Sequence, residues 1–172
     1  SDTDLPPMGA LWGCVYGRRM IYAGGDTKYP YRAYYSEIGR PEAIEGHWDT
    51  PSGDPITGLA SHDETCWLFS KSKTATVRGY SAKDFVVRNL SESVGCISHF
   101  GIKSIHGWLC WPAQDGYWGY SGGLRYLMES ARDLWFEEIE ANPSGYALAY
   151  AEDNRLWNTL EVIVPRAGET LQ

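Results

Sequence analysis

The sequence predicts an all-β fold, a β-propeller or propeller segment of about four blade-like units of antiparallel strands with one short helix. Three observations carry this. Two aromatic, β-rich cores, Thr65-Cys66-Trp67-Leu68-Phe69-Ser70 and Gly107-Trp108-Leu109-Cys110-Trp111-Pro112, are each followed by a tight turn and another strand. Weaker copies lie around Arg18–Tyr22 and Asn154–Trp157, so that Ile21, Leu68, Leu109 and Leu156 recur at roughly 40–50 residues, the period of a four-stranded blade. Eight Trp, twelve Tyr and nineteen Gly suit short strands joined by tight turns. Strands at regular spacing also fit a β-sandwich, but the repeating unit here is four strands and not a hairpin.

Taken in order, residues 1–9 carry Pro6-Pro7 and read as an extended lead-in. Strands are expected over 10–16 and 18–23, divided by Gly17, and over 31–36. Gly39-Arg40-Pro41 is expected to end the third, because Pro cannot donate to a ladder. Residues 45–55, with His47, Trp48, two Pro and Gly53, show no period and read as a loop. Strands follow at 56–61, 64–70, 74–79 and 84–90. The third unit repeats the order with 99–105, 108–112, 117–120 and a short 124–127, the hairpin tip falling at Gln114-Asp115-Gly116. Residues 128–140 place Leu134, Trp135 and Ile139 among acidic residues and predict a short helix. Asn142-Pro143 stops it. Residues 146–151, 155–160 and 161–164 begin a fourth unit, and 165–172 read as a tail. The propeller-like domain thus spans 10–164, alone or as part of a longer chain. The start, Ser1-Asp2-Thr3-Asp4, lacks Met and reads as a processed or truncated end.

The net charge of −7, with Arg18-Arg19 and Lys71, Lys73 as the densest basic spots, argues against a protein that grips nucleic acid through its phosphates. An acidic surface would still let DNA pass without sticking. No run approaches a membrane span, and the N-terminus lacks a signal-peptide pattern. Cys14, Cys66, Cys96 and Cys110 form no C-x-x-C pair; Cys66 and Cys110 fall at matching places in the two central cores and read as small buried hydrophobes in a reducing compartment.

No catalytic, cofactor-binding or metal-ligating residue is assigned. His47, His62, His99 and His106 lack helical ligand spacing and read as ordinary polar positions. Asp115 with Asp133, or Asp63-Glu64, offer carboxylates, and glycosidases need two of them about 5–9.5 Å apart. Asp115, however, sits at a hairpin tip where Asp-Gly is explained by turn geometry. Gly24-Gly25 and Gly122-Gly123 lack the Lys-Ser/Thr of a phosphate loop. Most aromatics lie in strands and read as filling between sheets; Trp48, Trp111 or Trp118, if exposed along one groove, would instead suit a sugar-stacking surface.

The stretch Tyr31-Arg32-Ala33-Tyr34-Tyr35-Ser36-Glu37-Ile38-Gly39-Arg40-Pro41-Glu42 resembles a strand of β-propeller proteins from bacteriophage tails. The runs 56–59, 68–73, 77–79 and 84–87 are similar to that family in the same order, as are 93–98, Ser104-Ile105, the turn 114–117 and the segment 142–157. The likeness covers Arg18 to Val164. It implies a non-enzymatic virion component of tail-nozzle or head-to-tail hub type, assembled with other subunits as a homo-oligomeric ring around the DNA channel. It would reside in the virion, and in the host cytoplasm during assembly. The alternatives are a carbohydrate- or receptor-binding propeller module and a propeller glycosidase. A closed propeller needs a completed last blade, so either the first strand completes the fourth unit or the chain continues.

Overall fold

A computed structural model describes residues 9–142, 149–154 and 159–164. Among the described residues the fold is all-β: three four-stranded antiparallel meanders, one two-stranded hairpin and one short helix, with no sheet closed on itself. The chain divides into two units, 1–95 and 96–172.

In the first unit β1 (Trp12–Tyr16), β2 (Arg19–Ala23), β3 (Arg32–Glu37) and β4 (Arg40–Asp49) form one sheet in chain order. The strands β5 (Ile56–His62), β6 (Thr65–Ser70), β7 (Thr74–Arg78) and β8 (Val86–Ser91) form the second. Between them lies one core. Tyr16, Ile21, Ala33, Tyr35 and Trp48 meet Leu59, Cys66, Leu68, Ala75 and Val77, with Phe85 packed at the border. Period-2 alternation decides which side chains reach it, since neighbours along a strand point to opposite faces.

In the second unit a 3-10 turn (His99–Gly101) leads into β9 (Lys103–Ile105), β10 (Trp108–Ala113), β11 (Gly116–Tyr120) and β12 (Leu124–Tyr126). A second 3-10 turn (Glu129–Ala131) opens into α1 (Arg132–Ala141), and β13 (Tyr150–Asn154) pairs with β14 (Thr159–Ile163). Its core joins Cys110, Tyr117, Trp135 and Ala151, with Leu160, Val162 and Val164 packed against them. Trp135 is the anchor of α1: its indole N–H donates to the Ala113 carbonyl at 3.2 Å, and its ring meets Tyr117 edge-on at 6.2 Å.

The repeat is written in the backbone as well as in the residues. Each four-stranded sheet opens with a two-residue hairpin: Gly17-Arg18, Asp63-Glu64 and His106-Gly107. All six residues have positive φ, from 48° to 79°. This is the type I′ geometry, whose twist matches the strands it joins. Arg18, Asp63, Glu64 and His106 are also the positive-φ non-glycine residues among the described part of the chain. The middle turn spends no glycine on a conformation that disfavours a Cβ.

Four expectations need correction. The segment expected to stop at Gly39-Arg40-Pro41 and become a loop over 45–55 is instead the ten-residue strand β4. A tight turn at Ile38-Gly39, with Gly39 at φ 71°, reverses the chain, and register shifts around Ser36 place Pro41 in a bulge of the edge strand. There it owes the ladder no N–H. The single strand expected over 99–105 splits into a 3-10 turn and β9 because the Tyr117 hydroxyl donates to the Gly101 carbonyl and Pro112 packs where a Gly101 Cβ would stand. Ile21, Leu68 and Leu109 do all sit in second strands and are buried, but they are the third, fourth and second residues of those strands. Cys66 and Cys110 are likewise offset by one position from their turns. Each sheet thus keeps the turn and varies the face. The helix expected over 128–140 is present as the 3-10 turn plus α1. Leu156, the stretches 143–148 and 155–158, the lead-in over 1–8 and the tail 165–172 lie outside the described residues.

Replacing Glu64 by Gly removes a Cβ from an unfavourable backbone region, at the loss of an exposed hydrogen bond from the Tyr80 hydroxyl at 3.2 Å. The expected outcome is a gain of about 0.5–1 kcal/mol, read as a raised midpoint in urea unfolding; an unchanged or lowered midpoint would refute the strain assignment.

Candidate functional site

Two surfaces stand out once the cores are removed from consideration. The first is the face of the β1–β4 sheet that points away from its core. Cross-strand register places Val15 beside Met20, and Gly13, Tyr22, Tyr34 and His47 in one row across all four strands. Leu11 continues the ladder through its N–H to the Ala23 carbonyl at 3.1 Å. Leu11 is 66% exposed and Val15 64%, with Met20, Tyr22 and Tyr34 half-buried. The polar groups on this face bond among themselves. Arg32 donates to both Asp49 oxygens at 2.7 and 3.1 Å and lies 4.2 Å from the Tyr29 ring centre. The Tyr34 hydroxyl donates to Asp26 at 2.6 Å, and burial followed by that bond pushes the Tyr34 phenol up to about 12. The Arg32 hydrogen bonds hold the Asp49 carboxyl below its usual range, and the Tyr34 hydroxyl does the same for Asp26.

The second surface is a concavity of about 270 Å³ lined by Asp115, Trp118, Tyr126, Glu129 and Arg132. Asp115 stands in the β10–β11 hairpin, and its carboxylate accepts the Trp118 indole N–H at 2.8 Å. Its carbonyl accepts the Tyr126 hydroxyl at 2.6 Å. Trp118 and Tyr126 are direct cross-strand partners, their rings 5.4 Å apart at 67°. A Cβ on Gly116 would stand 2.5 Å from the Tyr126 hydroxyl, so the glycine lets that ring lie across the turn. Arg132, at the start of α1, sits 5.8 Å from the Tyr126 ring centre.

The residues singled out in the sequence fall as follows. Trp48 is 5% exposed and Trp111 0%, so both are framework, and Trp118 is the one of the three that lines a concavity. Asp115 is a turn residue as expected, with one carboxylate oxygen committed to Trp118. Asp133 is exposed on α1, and Asp63-Glu64 form a hairpin turn. Among the described residues no cluster of His, Cys, Asp or Glu has metal-site geometry, and no helix is long and apolar enough to cross a membrane. None of the four cysteines is in a disulfide; burial pushes the Cys96 thiol up to about 12 and Cys110 up to about 11, which suppresses the reactive thiolate.

One feature had no sequence signal. Arg19, beside the Gly17-Arg18 turn, is 4% exposed within the first unit's core. It donates to the Ser36 carbonyl at 2.6 Å and pairs with Glu45, while its guanidinium lies 5.6 and 5.7 Å from the Tyr35 and Phe85 ring centres. Its Nε and the Trp48 indole N–H are buried with no hydrogen-bond partner in the structure.

Because the folded pKa of Asp49 is depressed, the unfolded chain takes up this proton first as pH falls. The stability it contributes is present above the unfolded value of about 4 and lost as pH drops through the folded value. Asp49→Asn is therefore expected to flatten the acid limb of the unfolding midpoint against pH; an acid limb identical to that of the parent chain would remove Asp49 from the account.

No protein-family model matches the sequence, and no curated protein matches it. Among solved structures the chain is similar to the N-terminal domain of Nup159, at a TM-score of 0.44 and 9% identity over 73% of this chain and 33% of that one. The chain therefore spans about a third of that domain's length.

Proposed function

We propose that this chain is a non-enzymatic structural module, built of propeller-type blades, that assembles with further copies of itself in a phage virion of the tail-nozzle or head-to-tail hub type. The resemblance in the sequence supplies the virion setting. The observation that carries the assembly reading is the uncovered face of the β1–β4 sheet. Fully burying Leu11 and Val15 would contribute about 1.5–3 kcal/mol each. Arg32 offsets Asp49 within the face, which lowers the local repulsion between two copies of a chain with net charge −7. The acidic balance also suits a wall past which DNA slides. A carbohydrate-binding reading is favoured by one specific observation, the Trp118–Tyr126 concavity. For the glycosidase reading the Asp115 carboxylate is poorly placed, being tied to Trp118.

Sedimentation velocity over a concentration series tests the assembly. The parent chain is expected to self-associate, and Val15→Lys to abolish this without lowering thermal stability, since the side chain is already exposed. A chain that stays monomeric throughout, or an oligomer indifferent to Val15→Lys, would overturn the docking face. Mass spectrometry of purified particles from the source of the gene tests the virion setting, and absence of the protein from them would refute it.

A further inference from the structure

We propose that the concavity formed by Asp115, Trp118, Tyr126, Glu129 and Arg132 binds the ring of an uncharged hexopyranose. Three features point to this chemistry. The first is preorganisation. Trp118 is fixed through its indole N–H to Asp115, and Tyr126 through its hydroxyl to the Asp115 carbonyl and its ring over Gly116. Both rings remain half-exposed, so their orientation is set before a ligand arrives and little ordering is left to binding.

The second is the mix of groups around the rings. Glu129 and the carboxylate of Asp115 accept hydrogen bonds and Arg132 donates them, which together match the vicinal hydroxyls of a sugar. The C–H face of the same ring would lie on the half-exposed indole, while Arg132 already occupies the cation position beside Tyr126. A quaternary ammonium or other cationic ligand would have to displace it.

The third is charge and size. Asp115, Glu129 and the neighbouring Asp133 outnumber Arg132, so an anionic sugar meets net repulsion. A volume of about 270 Å³ falls below the 300–1,000 Å³ of drug-sized sites and suits a single ring. For a ligand of about a dozen heavy atoms at an open site, the expected dissociation constant is on the order of 1 mM.

The test is a titration followed by the indole N–H signals in 1H–15N spectra, using methyl β-glucopyranoside, methyl β-galactopyranoside, methyl α-mannopyranoside and N-acetylneuraminic acid. Trp118→Phe identifies the Trp118 signal. At least one neutral glycoside is expected to move that signal saturably, at concentrations up to about 50 mM. Followed by the backbone amide signals of Asp115 and Glu129 in the same spectra, which remain when the indole is gone, Trp118→Ala should weaken binding about tenfold or more, and Glu129→Gln, an exposed position where folding is not at issue, a few-fold. No saturable shift with any of the three neutral glycosides would overturn the proposal. So would binding that survives both substitutions unchanged, or tighter binding of N-acetylneuraminic acid.

Discussion

Burial on both faces of the second strand is the constraint on which the sheets depend. All six residues of β6 are buried, as are five of the six in β10, so neither sheet satisfies its apolar side chains from one side alone. A sheet of this kind must be covered twice. In β6 the two faces carry different fillings. Cys66 and Leu68 enter the first unit's core, whereas Trp67 and Phe69 stack on each other on the opposite face at 6.1 Å. The strand β2 breaks the pattern: its burial alternates, with Arg19, Ile21 and Ala23 inside and Met20 and Tyr22 only half-covered. Its composition is as apolar as a doubly covered strand, yet one side is open. That mismatch between residue type and environment is what the proposed self-association would relieve. The β13–β14 hairpin also turns one side to a core, through Leu160, Val162 and Val164, and its outward row, Thr159, Glu161 and Ile163, is more polar than that of Val15 and Met20.

The Arg19 site shows what the core of the first unit tolerates to hold its geometry. A buried guanidinium stabilises only if its hydrogen bonds are met, and losing one partner of such a pair costs about 3–5 kcal/mol. Here the register shift around Ser36 does the matching. The bulge turns the Ser36 carbonyl toward Arg19, while the Ser36 hydroxyl accepts the Met20 N–H at 2.9 Å and donates to the Glu37 carbonyl at 2.8 Å. One irregularity in β3 thereby serves the arginine and the strand beside it. Glu45 reaches the arginine from β4, and Phe85, the residue before β8, closes over it. The two N–H groups without a protein partner, on Arg19 and Trp48, lie in the same aromatic cluster. This polar centre ties the path of β4 to the core.

That dependence explains where the sequence was legible and where it was not. Strands whose pairing is local, such as β5 to β7 and β10 to β11, are readable from alternation and turn residues, and their bounds agree closely with expectation. The strand β4 is not readable this way. Pro41, Gly46 and the polar run around Glu45 look like a loop because the bulge opposite Ser36 breaks the alternation, and the partners that fix the strand are not written in it: Trp48 stacks on Tyr35 at 4.9 Å, and Glu45 answers Arg19. Arg19 itself looks like a surface charge beside a turn, and only the bulge at Ser36 makes its burial possible. The likeness of the three sheets was visible as a repeat of residue types, but the feature they share most strictly is the type I′ turn. Its residues, Gly-Arg, Asp-Glu and His-Gly, have no common spelling. Backbone conformation repeated where side chains did not, and so the central positions drifted by a residue in each sheet.

The candidate ligand site was half legible for a related reason. Asp115-Gly116 reads as a hairpin, and the structure keeps it one. A turn residue is usually spent once its backbone role is met, but Asp115 uses its carbonyl on Tyr126 and one carboxylate oxygen on Trp118, from opposite ends of the same residue. The pairing of Trp118 with Tyr126 across β11 and β12 is a matter of register, set by a short strand whose partner is three residues long. Nothing in the composition of 114–126 separates a wedge of packing aromatics from two rings held half-open. The difference lies in Gly116, which leaves space for the Tyr126 ring to fold back over the turn. A side chain there would push the ring away from Asp115 and Trp118, leaving the hairpin in place but the concavity without its second wall. The glycine that follows the turn, the first residue of β11, is thus the residue on which the site depends.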